Sequence, residues 1–274
     1  MTDLTFTLST GTVTGTGWGA QEQPLVVLLP GFSQDERSWA FVGPRLADSH
    51  HVVALALRGR GRSTWTDDAP WGPAAHAADV LEVVQQLGRS SFSVVGWSFG
   101  GLVAMHLADI APQTLDRVAL VDVCGTPDEQ AMEPVRGNQV RLTQTFRTVE
   151  EYVDSTLAGG LFTGKEAWFR PYLAQDLVPT DGGFRTRTTS IIANDAVVDA
   201  PVAPQHLWPS LTMPTLLLRA AQPMPSGGFI VPASERDAFL ATVSNGSAID
   251  IDANHGTIGV VQETVDALAK HLLP

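Results

Sequence analysis

One cysteine, Cys124, stands in a chain of 274 residues, which excludes an internal disulfide framework. Alone, it reads as a small buried residue rather than a reactive thiol. Charge is scarce as well: 17% of the residues are charged, below the usual quarter or so. The balance is acidic, with 17 Lys and Arg against 29 Asp and Glu and a net charge of -12. Such a surface repels phosphate backbones and anionic headgroups, so neither nucleic acid nor membrane is expected as a partner. No apolar run reaches the roughly eighteen residues of a membrane-spanning helix. The first residues, Met1-Thr2-Asp3-Leu4-Thr5-Phe6, lack the basic and apolar regions of a secretory signal. A cytoplasmic location fits these absences. No internal repeat or low-complexity stretch is seen.

What is present is a rhythm of apolar runs and helix-like segments. Thr5 to Leu8 and Thr12 to Trp18 predict a hairpin turning at Ser9-Thr10-Gly11. Pro24 to Leu29, His51 to Leu57, Ser91 to Val95 and Val118 to Val123 are apolar almost throughout, as strands buried on both faces must be. Between them Phe41 to Ala47, Ala74 to Leu87 and Leu102 to Leu107 have helical character. This alternation predicts a doubly wound, mostly parallel α/β sheet.

The rhythm lapses after Gly125. Helical stretches near Val135 to Phe146 and Val149 to Leu157 follow, with a cluster of aromatics: Phe146, Tyr152, Phe162, Trp168, Phe169 and Tyr172. Pro201, Pro204 and Pro209 mark the return to the sheet, with strands at Thr215 to Leu218 and Ala248 to Ile251. Helices are expected over Ala233 to Thr242 and Val260 to Leu273. Residues 1–125 and 211–274 thus read as a core, and 126–210 as an inserted, largely helical segment.

Chemistry concentrates at Gly96-Trp97-Ser98-Phe99-Gly100, a Gly-x-Ser-x-Gly pattern between a strand and a helix. Three fixed positions of this kind arise by chance in about one chain in ten of this length, so the flanking strand and helix carry the weight. A turn this tight strains the serine backbone, lifts the hydroxyl clear of the sheet and leaves no room for side chains at the glycines.

Together with Pro30-Gly31-Phe32, Arg58-Gly59-Arg60-Gly61-Arg62-Ser63 and Asn254-His255-Gly256, the elbow makes the chain resemble the α/β-hydrolase family. The resemblance covers nearly everything except the insert at 126–210, which looks like the family's variable helical cap. It implies Ser98 as nucleophile and His255, in a loop after the last strand, as its base. It further implies backbone N–H groups of Phe32 and Phe99 as the oxyanion donors. The family's usual acid position is empty here: after Leu218 the chain reads Arg219-Ala220-Ala221-Gln222-Pro223-Met224-Pro225. Some members take the acid from the strand after the nucleophile, which points to Asp122, with Glu235, Asp237 and Asp252 as the other candidates. The remaining histidines have weaker claims: His50 and His51 begin a strand, His76 lies on a surface-type helix, His106 reads as buried structure, and His206 and His271 sit near element ends. The Arg58 to Arg62 run lacks a P-loop's spacing and lysine and reads as a structural turn.

The expected activity is a serine esterase or lactonase needing no cofactor and no metal. Its substrate would be a small apolar, uncharged molecule walled by Trp97, Phe162 and Trp168. Two other readings compete. One is a cofactor-free dioxygenase of a hydroxylated N-heteroaromatic ring, using a His/Asp pair at this same acid position. The other is a non-catalytic small-ligand receptor, which requires Asp122 to lie out of reach of His255. A carboxylate nucleophile, as in haloalkane dehalogenases and epoxide hydrolases, is disfavoured by Ser98. The low charge leaves room for a homodimer face.

Overall fold

The apolar runs become neighbouring strands whose side chains alternate between two buried layers. The computed structural model describes residues 1–197 and 203–273, so Pro201 lies outside the described residues. Its strands are β1 (Thr2–Leu8), β2 (Gly11–Trp18), β3 (Leu25–Leu29), β4 (His51–Ala56), β5 (Phe92–Trp97), β6 (Leu115–Val121), β7 (Leu177–Thr180), β8 (Gly183–Thr186), β9 (Thr215–Ala220) and β10 (Gly246–Ile251). The helices are α1 (Gly43–Leu46), α2 (Pro73–Gln86), α3 (Phe99–Ile110), α4 (Glu133–Arg141), α5 (Val149–Ala158), α6 (Glu166–Gln175), α7 (Ala233–Thr242) and α8 (Gln262–Leu272). Eight strands form one sheet in the order β1-β2-β4-β3-β5-β6-β9-β10. It is antiparallel at the β1–β2 and β2–β4 pairs and parallel from β4 onward.

Successive residues of one strand feed opposite cores, which is why the runs read as unbroken apolar sequence. Val27 and Leu29 pack with Val80 and Val83 of α2 and Val103 of α3. Val26 and Leu28 face the other way and pack with Leu46 of α1 and Leu268 of α8. Helices therefore cover both faces, and the sheet is doubly wound. Cys124 is fully buried and its thiol pKa is pushed well up by that burial.

Between β6 and β9 the chain builds a separate apolar cluster from Phe146, Tyr152, Val153, Phe162, Phe169, Leu173 and Leu177. The helix expected from Val135 to Phe146 is shorter, Glu133–Arg141, and Phe146 instead pairs with Phe184 of β8. The sequence reading missed α6 and the β7–β8 hairpin. Pro171 inside α6 and Pro179 inside β7 hide both patterns.

Candidate active site

Strand order assembles the site. β5 lies between β3 and β6, so whatever follows its C-terminal end is flanked by the loop after β3 and the end of β6. Ser98 follows β5, with its backbone N–H donating to the Val121 carbonyl of β6 at 2.9 Å. Its backbone is held at φ 53°, ψ -115°, a strained conformation for a residue with a side chain. The glycines permit this. A Cβ on Gly96 would lie 2.2 Å from the Gly100 carbonyl oxygen, and one on Gly100 would lie 2.3 Å from that of Leu29.

Asp122 directly follows β6 with a left-handed backbone at φ 52° and is buried. One carboxylate oxygen, Oδ1, accepts from the Ala220 N–H at 2.9 Å. The other, Oδ2, accepts from His255 Nδ1 at 2.8 Å. A carboxylate only accepts, so Nδ1 carries the proton of the neutral imidazole and Nε2 is left as acceptor. Ser98 Oγ stands 3.1 Å from that Nε2 and donates to it. The Trp97 indole fixes the histidine loop by donating to the His255 carbonyl at 3.2 Å. The other acid candidates are engaged elsewhere: Glu235 accepts from Gln205, Asp237 from Arg236 and Asp252 from Gln222.

Phe32 and Phe99 flank the serine. Phe99 opens α3, where the first N–H groups have no partner inside the helix. The Gly31 carbonyl accepts from the Gln34 N–H at 3.1 Å, and in a planar trans peptide the Phe32 N–H points the opposite way, out of that turn. Arg60, fully buried, sits beneath both. It donates to the Phe32 carbonyl at 2.7 Å, and its guanidinium lies 4.5 Å from the Phe99 ring centroid and 5.6 Å from that of Phe32.

That arginine belongs to a buried polar network that sequence reasoning missed. Asp195, from the inserted segment, accepts from Arg60 at 2.7 Å, from His76 Nε2 at 2.9 Å and from the Gly72 N–H at 2.9 Å. Burial by itself would raise the Asp195 carboxyl; the bond from His76 and the Arg60 charge carry it down to about 2. His76 is therefore no surface histidine. It is fully buried, its ring meets Phe99 edge-on at 5.5 Å, and burial lowers its pKa. Only the partner's position 119 residues along the chain explains it, and no local pattern carries that. Arg58 is paired with Asp79 in the same way, so the arginine run is structural. His106 is half-buried rather than buried.

Ser98 borders two cavities. One, of about 90 Å³, is walled mainly by apolar residues including Phe32, Phe99, Leu102, Val123, Met132 and Ile230. The other, of about 560 Å³, contains His255, Trp97 and Phe162 and is lined by polar groups from α4, α5 and α6. Trp168 lines neither. One residue along a helix is a turn of about 100°, so with Phe169 buried inward against Phe162 (centroids 4.0 Å apart) Trp168 faces a separate surface cleft. Among the described residues no cluster of His, Cys, Asp or Glu has the arrangement of a metal site. Among them, too, no helix is long and apolar enough to cross a membrane.

Residues 26–269 match the alpha/beta hydrolase family, and the chain belongs to it. An esterase of Mycobacterium tuberculosis is 33% identical over 113 residues, 41% of this chain and 37% of its own length. N-formylmaleamate deformylase of Pseudomonas putida is 34% identical over 97 residues, 35% of this chain and 36% of its own length. The alignments thus span little more than a third of these relatives. The fold extends further than the sequence likeness. The structure of E-2-(acetamidomethylene)succinate hydrolase superposes with a TM-score of 0.86 at 18% identity, covering 98% of both chains. The thioesterase domain from the curacin biosynthetic pathway gives 0.78 at 22% identity, covering 100% of this chain and 99% of that one.

Proposed function

We propose that this protein is a cytoplasmic serine hydrolase that cleaves a carboxylic ester or lactone of a small molecule through an acyl-enzyme. The observation that carries the reading is the hydrogen-bonded chain from Asp122 through His255 to Ser98, at 2.8 and 3.1 Å. Ser98 Oγ attacks the carbonyl as His255 Nε2 takes its proton, and Asp122 stabilises the imidazolium that forms. The N–H groups of Phe32 and Phe99 receive the developing oxyanion; each such donor contributes about two to three powers of ten in rate. Collapse of the tetrahedral intermediate expels the leaving group with the proton from His255. Water then repeats the sequence on the acyl-enzyme.

The smaller cavity beside Ser98 suits an apolar substituent, and the 126–210 segment serves as the cap that closes over it. The relatives support hydrolysis of a carbonyl compound: one is an esterase, and another removes a formyl group from a maleamate by its name. The receptor reading loses its footing, because it needed Asp122 out of reach of His255 and the two are bonded.

Hydrolysis of p-nitrophenyl butyrate and labelling by a fluorophosphonate test the nucleophile. Both are expected in the wild type and both are lost in Ser98→Ala. Undiminished labelling of the alanine variant would falsify the assignment. Oxygen uptake with a 3-hydroxy-4-quinolone that persists in Ser98→Ala would instead mark the dioxygenase.

A further inference from the structure

Among the described residues, the larger cavity holds a cation with no carboxylate in ion-pair contact. Arg141, the last residue of α4, lines the same space as Ser98 and His255. Its partners are neutral: it donates to Thr156 Oγ1 at 2.8 Å and to Asn138 Oδ1, and its guanidinium lies 5.2 Å from the Tyr152 ring centroid. Its Nε is buried with no hydrogen-bond partner. Among the described residues no carboxylate comes within ion-pair distance of it. Arg141 is half-buried, and withdrawing a guanidinium from water beside neutral groups is costly unless a counter-ion arrives.

The carboxyl groups in that cavity do not supply one. Glu133 is exposed. Asp176 accepts from the Tyr152 hydroxyl at 3.1 Å and lies 3.5 Å from Arg37. Burial and then the neighbouring Asp35 charge push Asp176 up to about 7, so it carries only part of a charge near neutrality. The polar chain leads toward the chemistry, since Asn138 also donates to Ser33 Oγ, one residue past Phe32.

We infer that the larger cavity takes the carboxylate of a monoanionic substrate, with Arg141 as its counter-ion and the scissile carbonyl at Ser98. A guanidinium presents its N–H groups in a fork that matches a carboxylate. One cation beside two carboxyl groups suits a single negative charge better than a phosphate dianion. The two cavities then divide the substrate, apolar part in the smaller and acid part in the larger. The inference sets an acid-bearing substrate beside the uncharged one expected from the aromatic cap and low charge, because composition says nothing about a single half-buried arginine.

This assignment rests on the hydrolase reading for its chemistry but not for its binding. The test therefore measures affinity in Ser98→Ala, by calorimetry, for 4-butanoyloxybenzoate and its neutral amide, 4-butanoyloxybenzamide. The carboxylate is expected to bind about 10- to 100-fold more tightly, the range of a charge-assisted hydrogen bond. Arg141→Gln in that background collapses the ratio toward one, while Arg141→Lys keeps part of it. Phenyl phosphate is expected to bind more weakly than benzoate. Equal affinity for the pair, binding of neither, a preference that survives Arg141→Gln, or tighter phenyl phosphate overturns the assignment. Because the readout is a ratio within each variant, a general loss of packing does not imitate the result. Turnover that persists in Ser98→Ala would sink the nucleophile while leaving this binding test intact.

Discussion

Ser98 and Asp122 share an unusual backbone state, φ 53° and 52°, and each is strained for the same reason. Each is the first residue past a parallel strand, where the chain must turn at once to aim a side chain across the sheet's edge. Aspartate and asparagine tolerate this region better than most residues, so Asp122→Asn is expected to fold. Its amide would donate to His255 Nδ1 and invert the tautomer, which removes the acceptor that Ser98 needs. The expected fall in kcat is about 10⁴-fold with an unchanged circular dichroism spectrum. Activity within tenfold of wild type would show that Asp122 does not orient the base. The three side chains that meet here were legible in the sequence because each is announced locally: glycines at 96 and 100, a strand-end aspartate, a histidine before the last helix. Arg141 was not, since at the end of a helix an arginine ordinarily looks like a solvated charge.

Elements meet at Asp195. It sits in the 3₁₀ turn Ser190–Asp195 and ties the inserted segment to α2 through His76 and to the turn after β4 through Arg60. Removing one partner of a buried ion pair strands the other charge, at a cost of about 3–5 kcal/mol. Asp195→Ala is expected to lower stability by that amount in urea denaturation, and adding Arg60→Met should restore most of it. If the single change costs less than about 1 kcal/mol, the network does not hold the segment in place. Legibility at this scale followed periodicity. Core strands buried on both faces read directly, as did α7, found over Ala233–Thr242 as expected. The phase of α6 did not, because Trp168, Phe169 and Tyr172 are all aromatic and sequence alone cannot say which of them turns inward. The β7–β8 hairpin escaped for want of length, with four residues in each strand.

For the whole molecule, two buried carboxyls set a dependence of stability on pH. Burial, then the neighbouring Asp35 charge, push Asp176 from 3.8 and Glu36 from 4.5 up to about 7. Between those limits the folded protein binds more protons than the unfolded chain, so this contribution is present in full below about pH 4 and is lost as pH rises through 7. Asp195 runs oppositely, its contribution present above 3.8 and lost as pH falls toward 2. Across pH 5 to 8 the first pair is opposed by His51, His76, His106 and His271, whose pKa values burial lowers, so that their contribution grows as pH rises through 6.5. A tenfold difference in proton affinity between the folded and unfolded chain is worth roughly 1.4 kcal/mol, so the pair by itself is expected to withdraw a few kcal/mol over that span. Relative to wild type, the double variant Asp176→Asn, Glu36→Gln should be shifted toward greater stability at pH 8 than at pH 5, as read from urea midpoints at the two pH values. Equal shifts at both would show that other groups dominate. If Asp122 is the acid of the proposed hydrolase, its placement has a consequence for how such a protein can diverge. Under the proposed chemistry, with Asp122 just past β6 as the acid, the loop after β9 has no reacting group to supply, yet Met224, Pro225 and Ser226 within it border the larger cavity. Insertions and exchanges there can refit the chamber to a new molecule while the reacting groups stay where they are, so specificity and turnover can evolve on separate stretches of chain.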